Sequence, residues 1–344
     1  MESNRLWHDP VVEIFSNLIT PGVRCSASAY DLANRRWYRL KVDDAEVVPD
    51  DDWLSSTVAK HVRATTARAG SPVTFETKPD DRVDRPITKS LSYGGSEPTT
   101  DKLPTTTFDQ LESLTYISRS ADRCTWHGKD CVFKRIEFDV DIEPIATEIR
   151  IRETLMDAIG PVGNSIADVN AEMTRRFLVV PVLAVVIGIN SKPWKPGTVA
   201  GILMPFAGQD LEILARDNTD AALPITELQL RDLVRGVQEL GKCGVEHGDI
   251  KYWNTVLQQP AEEDDDGAAA AAAAKLVLID LGSVAPEYDG DAKALGTLLL
   301  WCLEHAAPTL RENEAARARV HAAAAALAEE DFDAALKSLS PGDA

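Results

Sequence analysis

Residues 247 to 254 read His-Gly-Asp-Ile-Lys-Tyr-Trp-Asn, and Asp280-Leu281-Gly282 follows at the end of an apolar run. No other feature constrains the fold as much. An acid, a lysine and an asparagine stand close together on one loop, and a second acid arrives from a separate strand. Each motif alone is weak, because His-Gly-Asp occurs by chance and Asp-Leu-Gly is a common turn. In this order, with apolar segments on either side, the pair is specific.

The residue types suit phosphoryl transfer from a magnesium nucleotide. That chemistry needs a carboxylate to orient or deprotonate a hydroxyl, a cation near the moving phosphate, and oxygen ligands for the metal. Asp249, Lys251, Asn254 and Asp280 supply the set.

A chain of 344 residues can hold one large two-lobed domain or two domains. Its 55 acidic and 36 basic residues give a net charge of -19. Such a chain repels nucleic acid and anionic membranes unless a basic patch intervenes, and the sequence has no such patch. Cys25, Cys124, Cys131, Cys243 and Cys302 are scattered without metal-ligand spacing, which reads as free thiols in a reducing compartment. Residues 1–10 carry no apolar signal core, and the apolar runs near Phe177–Ile189 and Leu295–Leu303 are too short to span a bilayer. The expectation is a soluble intracellular protein, cytoplasmic or nuclear. Nothing in the sequence bears on oligomeric state.

Residues 1–63 read as an accessory segment, β-rich in part: an amphipathic stretch at Val11–Ile19 precedes a strand-like run at Arg36–Val42. Residues 64–107, rich in Thr, Ser, Pro, Asp and Gly, read as a poorly ordered linker. The texture changes at Leu114. Strands are expected at Leu114–Arg119, Arg123–His127 and Cys131–Ile136, with a turn at Gly128-Lys129-Asp130, and a helix at Ile145–Ile159. Two further strands, Phe177–Ile187 and Val199–Phe206, lead to an amphipathic helix at Thr226–Lys242 that stops at Gly244. Residues 259–275 are an acidic and alanine-rich insertion between strands at Thr255–Gln258 and Leu276–Ile279, and the chain beyond Asp291 reads as helical.

This order resembles the eukaryotic protein kinase superfamily over roughly Leu114 to Leu303. His247–Asn254 is similar to the family's catalytic loop and Asp280-Leu281-Gly282 to its magnesium-binding loop. The resemblance implies an α+β, two-lobed protein-kinase-like domain at 108–340, with an N-lobe at 108–207 and a C-lobe at 208–340. It implies Asp249 as catalytic base, Lys251 steadying the γ-phosphate, and Asn254 and Asp280 holding Mg²⁺. Lys134 in Cys131-Val132-Phe133-Lys134 would grip the α- and β-phosphates of ATP, paired with Glu148 or, from a neighbouring helix face, Glu153. Arg152 stands one turn after Glu148, where the family keeps an apolar residue of its packing spine. Met204, Phe206 and Ala207 would form the adenine hinge, with Asp210 at the ribose or simply at a helix start.

Three departures bear on activity. The phosphate turn, Ser118-Arg119-Ser120-Ala121-Asp122-Arg123, has no glycine to bring backbone amides close to phosphates, leaving Ser118, Arg119 or Ser120 as side-chain substitutes. Gly248 replaces the arginine that docks a phosphorylated activation loop. The segment from Asp280 to Asp291 is short, and Ala285-Pro286-Glu287 comes too early to frame a peptide platform. The resulting expectation is an ATP-dependent phosphotransferase of the Ser/Thr protein-kinase type. The alternatives are a pseudokinase scaffold without turnover and a small-molecule kinase of the aminoglycoside or choline kinase type.

Overall fold

In the computed structural model, residues 10–20, 24–33, 35–43, 50–64, 73–77, 90–93, 102–160, 165–189, 194–217, 222–259, 274–282, 284 and 287–340 are described. The fold is mixed α+β. The chain divides into two compact units: Met1–Pro98 with Pro104–Ile142 and Ala184–Leu203, and Thr99–Leu103 with Glu143–Leu183 and Met204–Ala344.

The first unit opens with an antiparallel sheet of β1 (Val12–Thr20), β2 (Arg24–Asp31), β3 (Arg36–Asp43) and β4 (Val73–Thr77), paired in that order. Helix α1 (Asp51–Ala64) follows β3. Its Leu54, Val58 and Val62 recur every fourth residue, which makes one helical stripe. They bury with Ala27, Ala29, Tyr38 and Leu40 of the sheet. Asp50 starts this helix, its Oδ1 accepting the N–H of Trp53 at 2.7 Å.

A second sheet has the order β5-β9-β10-β8-β7-β6, from β5 (Thr105–Thr107), β6 (Glu112–Ser118), β7 (Ala121–Trp126), β8 (Lys129–Arg135), β9 (Ala184–Ile187) and β10 (Val199–Pro205). The expected turn between β7 and β8 sits earlier than the sequence suggests. His127 and Gly128 form it, with φ of 50° and 73°, and Lys129 and Asp130 already pair with Trp126 and Thr125. Two successive left-handed residues match the twist of an antiparallel pair.

Tyr30 and Trp37 of the first sheet bury with Phe138, which follows β8, and Phe15 of β1 and Tyr116 of β6 pack alongside. A buried chain of charge runs beside these rings. Asp122 accepts from Arg35 Nη2 at 2.9 Å and from Arg135 Nη1 at 2.7 Å. Arg135 Nε lies 2.8 Å from Glu137 Oε2, an ion contact without hydrogen-bond alignment. The Tyr30 hydroxyl donates to Glu137 Oε1. Burial alone would lower the Arg135 guanidinium, but Glu137 and Asp122 outweigh it and hold the group above its ordinary value.

Within residues 64–107, Val73–Thr77 pairs with β3 and Thr105–Thr107 pairs in parallel with β9, while most of the stretch lies outside the described residues. The N-terminal sheet falls in the same compact unit as β5–β10.

The second unit holds helices α2 (Ile142–Ile159), α3 (Ile166–Phe177), α4 (Leu211–Asp217), α5 (Glu227–Lys242), α6 (Asp291–His305), α7 (Pro308–Arg311), α8 (Glu314–Ala328) and α9 (Phe332–Ser338). It also holds the hairpin of β11 (Thr255–Gln258) and β12 (Lys275–Leu278). That hairpin forms as the sequence predicts, with Thr255 opposite Leu278; residues 260–273 of the insertion lie outside the described residues. Leu230, Leu233, Val234, Val237 and Leu240 of α5 enter one core with Leu295, Leu299 and Leu303 of α6. Each such side chain contributes roughly 1.5–3 kcal/mol through burial.

The strand expected over Phe177–Ile187 is shorter. Phe177 ends α3, Leu178 takes a left-handed cap with φ 51°, and regular strand begins only at Ala184. Helix wins because Ser165 and Asp168 form a reciprocal capping box, and Arg175 and Arg176 favour the helix C-terminus. Among the described residues no helix is long and apolar enough to cross a membrane.

Candidate active site

His247 is wholly buried, and its ring fixes the loop from inside. Nε2 lies 2.9 Å from the Ile279 carbonyl, and Nδ1 accepts the Asp249 N–H at 3.3 Å. Both bonds are made only by the neutral ring with its proton on Nε2. Burial pushes the His247 pKa below its ordinary value, with Asp291 opposing, in agreement with a neutral ring. The His247 carbonyl accepts the N–H of Gly282 at 2.9 Å, so one residue ties both loops together.

Asp291, the first residue of α6, holds the same loop from the other side. Oδ2 accepts the His247 N–H at 2.7 Å, and Oδ1 accepts the Gly248 N–H at 3.1 Å and the Tyr288 hydroxyl at 2.5 Å. Burial first, and then the bond to Asp291, pushes the Tyr288 phenol far above its ordinary value. Gly248 has φ 87°, and a Cβ there would lie 3.0 Å from Val284 Cα. Position 248 is thus shaped for glycine.

Asp249, Lys251 and Asn254 converge. Asn254 Nδ2 donates to the Asp249 carbonyl at 2.9 Å and to Asp249 Oδ2 at 2.8 Å, while Lys251 Nζ sits 2.6 Å from Asp249 Oδ1. Asp249 keeps 18% of its side chain exposed and Lys251 27%, so both reach solvent. Lys251 Nζ also lies 4.3 Å from the centre of the Trp253 ring. Because the Asn254 amide nitrogen faces Asp249, its Oδ1 is left as a hard oxygen donor.

Asp280 follows at once. The Ile279 N–H donates to the Asn254 carbonyl at 3.0 Å, which sets the end of β12 beside the loop, and Asp280 itself is left-handed with φ 60°. Asn254 Oδ1 and the Asp280 carboxylate are the oxygen types Mg²⁺ takes. Among the described residues no three His, Cys, Asp or Glu side chains gather as a metal group. A divalent ion on Asn254 and Asp280 would complete its shell with phosphates and water, which is usual for magnesium.

Helix α2 closes the back of this region. A Cβ at Gly282 would fall 2.4 Å from Ile151 Cδ1, so the Asp280–Gly282 turn lies directly on the helix. Glu148 and Arg152 are both wholly buried and paired at 3.1 Å. Arg152 Nη1 also reaches the Met173 sulfur at 4.0 Å, while its Nε has no hydrogen-bond partner. Burial lowers the Arg152 pKa against the opposing charges of Glu148 and Asp280. Glu153 instead takes the Lys102 N–H at 3.2 Å and is only partly buried.

The other expected residues are each described by their own element. Met204 is buried, and Phe206 and Ala207 follow β10 half-buried. Asp210 starts α4, its Oδ1 accepting the Ile213 N–H at 2.9 Å, which is the helix-cap role. Lys134 belongs to β8 of the first unit and is 9% exposed. A Cβ at Gly201 of β10 would meet the Lys134 carbonyl at 2.1 Å, so glycine there permits the strands to pair.

The structure therefore brings Asp249, Lys251 and Asn254 into contact and seats Asp280 next to them. Sequence reasoning missed Asp291 and Tyr288 as anchors, although an acid at the first turn of a helix is a readable signal. Compared with protein-family models and with curated proteins, the chain matches none.

Proposed function

We propose that this chain is a protein-kinase-like phosphotransferase that moves the γ-phosphate of Mg-ATP to a hydroxyl, with a protein Ser/Thr hydroxyl favoured. The observation that carries the reading is the Asp249 carboxylate, held on one oxygen by Asn254 at 2.8 Å and neutralised on the other by Lys251 at 2.6 Å. In this reading Asp249 accepts the proton of the attacking hydroxyl, and Lys251 turns from Asp249 to the negative charge of the moving phosphate. Asn254 and Asp280 hold Mg²⁺, which when bound offsets the charge of the phosphates. Lys134 binds the α- and β-phosphates in this reading. Met204, Phe206 and Ala207 line the adenine, and Asp210 serves the helix before the ribose.

The test is phosphate transfer by the purified protein from Mg-ATP to protein and small-hydroxyl acceptors. Asp249→Asn should lower turnover by about 10²–10⁴-fold, and Lys134→Met should weaken nucleotide binding. A wild type that transfers no more phosphate than Asp249→Asn would end the enzyme reading. A nucleotide-binding scaffold without turnover is the second reading, supported by the glycine-free turn at Ser118–Arg123. Nucleotide-dependent thermal stabilisation without transfer would select it.

A further inference from the structure

Arg35 is 6% exposed, ends the turn between β2 and β3 with φ 55°, and points its guanidinium at the glycine-free turn. Nη1 donates to the Arg119 carbonyl at 2.5 Å and Nη2 to the Ser118 carbonyl at 3.2 Å. The third carbonyl of the turn, that of Ser120, accepts the Arg135 N–H at 2.7 Å. Three consecutive carbonyls are thus committed to the protein. The Arg119 side chain is turned to the Phe138 ring at 5.2 Å and to Asp141 at 3.9 Å, so it does not brace the turn itself.

A trans peptide holds its N–H antiparallel to its C=O. With the Ser118 and Arg119 carbonyls drawn to Arg35, the N–H groups of Arg119 and Ser120 are directed away from the guanidinium. Two adjacent, oriented amides make a small anion-binding concavity. Glycine-rich loops reach that arrangement through backbone freedom; here an external guanidinium imposes it. The brace is itself stiff, because Arg35 Nη2 also binds Asp122, whose other oxygen is held by Arg135, the residue after Lys134.

We propose that the N-terminal sheet is a working part of the nucleotide site, with Arg35 as a positioning residue that orients the Arg119 and Ser120 amides toward nucleotide phosphates. This rests on the phosphotransferase reading. It gives the sheet a role and removes the objection that a turn without glycine cannot serve phosphates.

The test compares ATP with adenosine, because only ATP carries the groups that the amides would hold. Arg35→Lys retains the charge beside Asp122 but loses the forked contact with two carbonyls. Arg119→Pro leaves Arg35 untouched and deletes one of the two amides at a turn position that tolerates proline. Both variants should bind ATP about tenfold more weakly, with adenosine affinity unchanged. KM for ATP should rise by the same factor while kcat stays within about threefold, and thermal unfolding shows whether each variant is folded. Unaltered ATP affinity in a folded variant overturns the proposal, as does an equal loss of ATP and adenosine. A wild type that binds neither ligand overturns the phosphotransferase reading and this proposal with it.

Discussion

Asn254 holds Asp249 twice with one amide nitrogen, at the main-chain oxygen (2.9 Å) and at carboxylate Oδ2 (2.8 Å). The asparagine thereby sets the direction in which the acid faces and keeps its own Oδ1 available. Asn254→Asp replaces the donor by a second carboxylate, which repels Asp249. Activity in a phosphate-transfer assay should fall about 100-fold, and the loss should not be recovered at high magnesium. Full recovery by magnesium would assign Asn254 to the metal alone.

Gly248 offers a test of backbone shape. At φ 87° with Val284 Cα 3.0 Å from a built Cβ, any side chain strains the loop. Gly248→Arg should destabilise the protein by roughly 1–3 kcal/mol in urea unfolding. An unchanged midpoint would show that the loop can shift to accept the side chain.

The buried ring of His247 makes stability depend on acid. Its pKa is lowered in the folded state, chiefly by burial, from an ordinary 6.5. The unfolded chain then binds more protons, so the contribution is complete above about pH 6.5 and drains away as pH falls. The loss is at most about 1.4 kcal/mol per pH unit. Urea unfolding between pH 7.5 and 5 should give a shallower acid slope for His247→Gln than for the wild type. Equal slopes would mean that His247 takes up its proton without cost.

The Glu148–Arg152 pair lies entirely out of solvent. Arg152→Leu removes a counter-charge from a buried carboxylate and should cost about 3–5 kcal/mol. Glu148→Gln combined with Arg152→Leu should cost less than Arg152→Leu alone, because no buried ion then lacks that partner. A double variant less stable than the single one would point to packing, not charge.

Much of the candidate site was legible because its polar residues interrupt apolar runs. His247–Asn254 and Asp280–Gly282 stand out for that reason, and the β11–β12 hairpin could be read across its insertion from two short apolar strands. Arg152 was visible as a charge at an apolar position, and its partner four residues earlier follows from helix geometry. Helices α1 and α3 were harder, since their apolar stripes are thin: Leu54, Val58 and Val62 in one, Met173 and Phe177 in the other. Their signals lay in the caps, at Asp50 and at Ser165 with Asp168. The contact of Arg35 with Asp122 spans 87 residues, and no local pattern encodes it.

That long-range contact bears on how the protein should be prepared. A fragment cut to its recognisable motifs, beginning at residue 108, keeps Asp249, Lys251, Asn254 and Asp280. It loses Arg35 from Asp122, the Tyr30 hydroxyl from Glu137, and the rings of Tyr30 and Trp37 from Phe138. Two buried carboxylates and an aromatic face would meet water. An inactive or aggregated fragment of that kind would report the missing sheet and say nothing about Asp249.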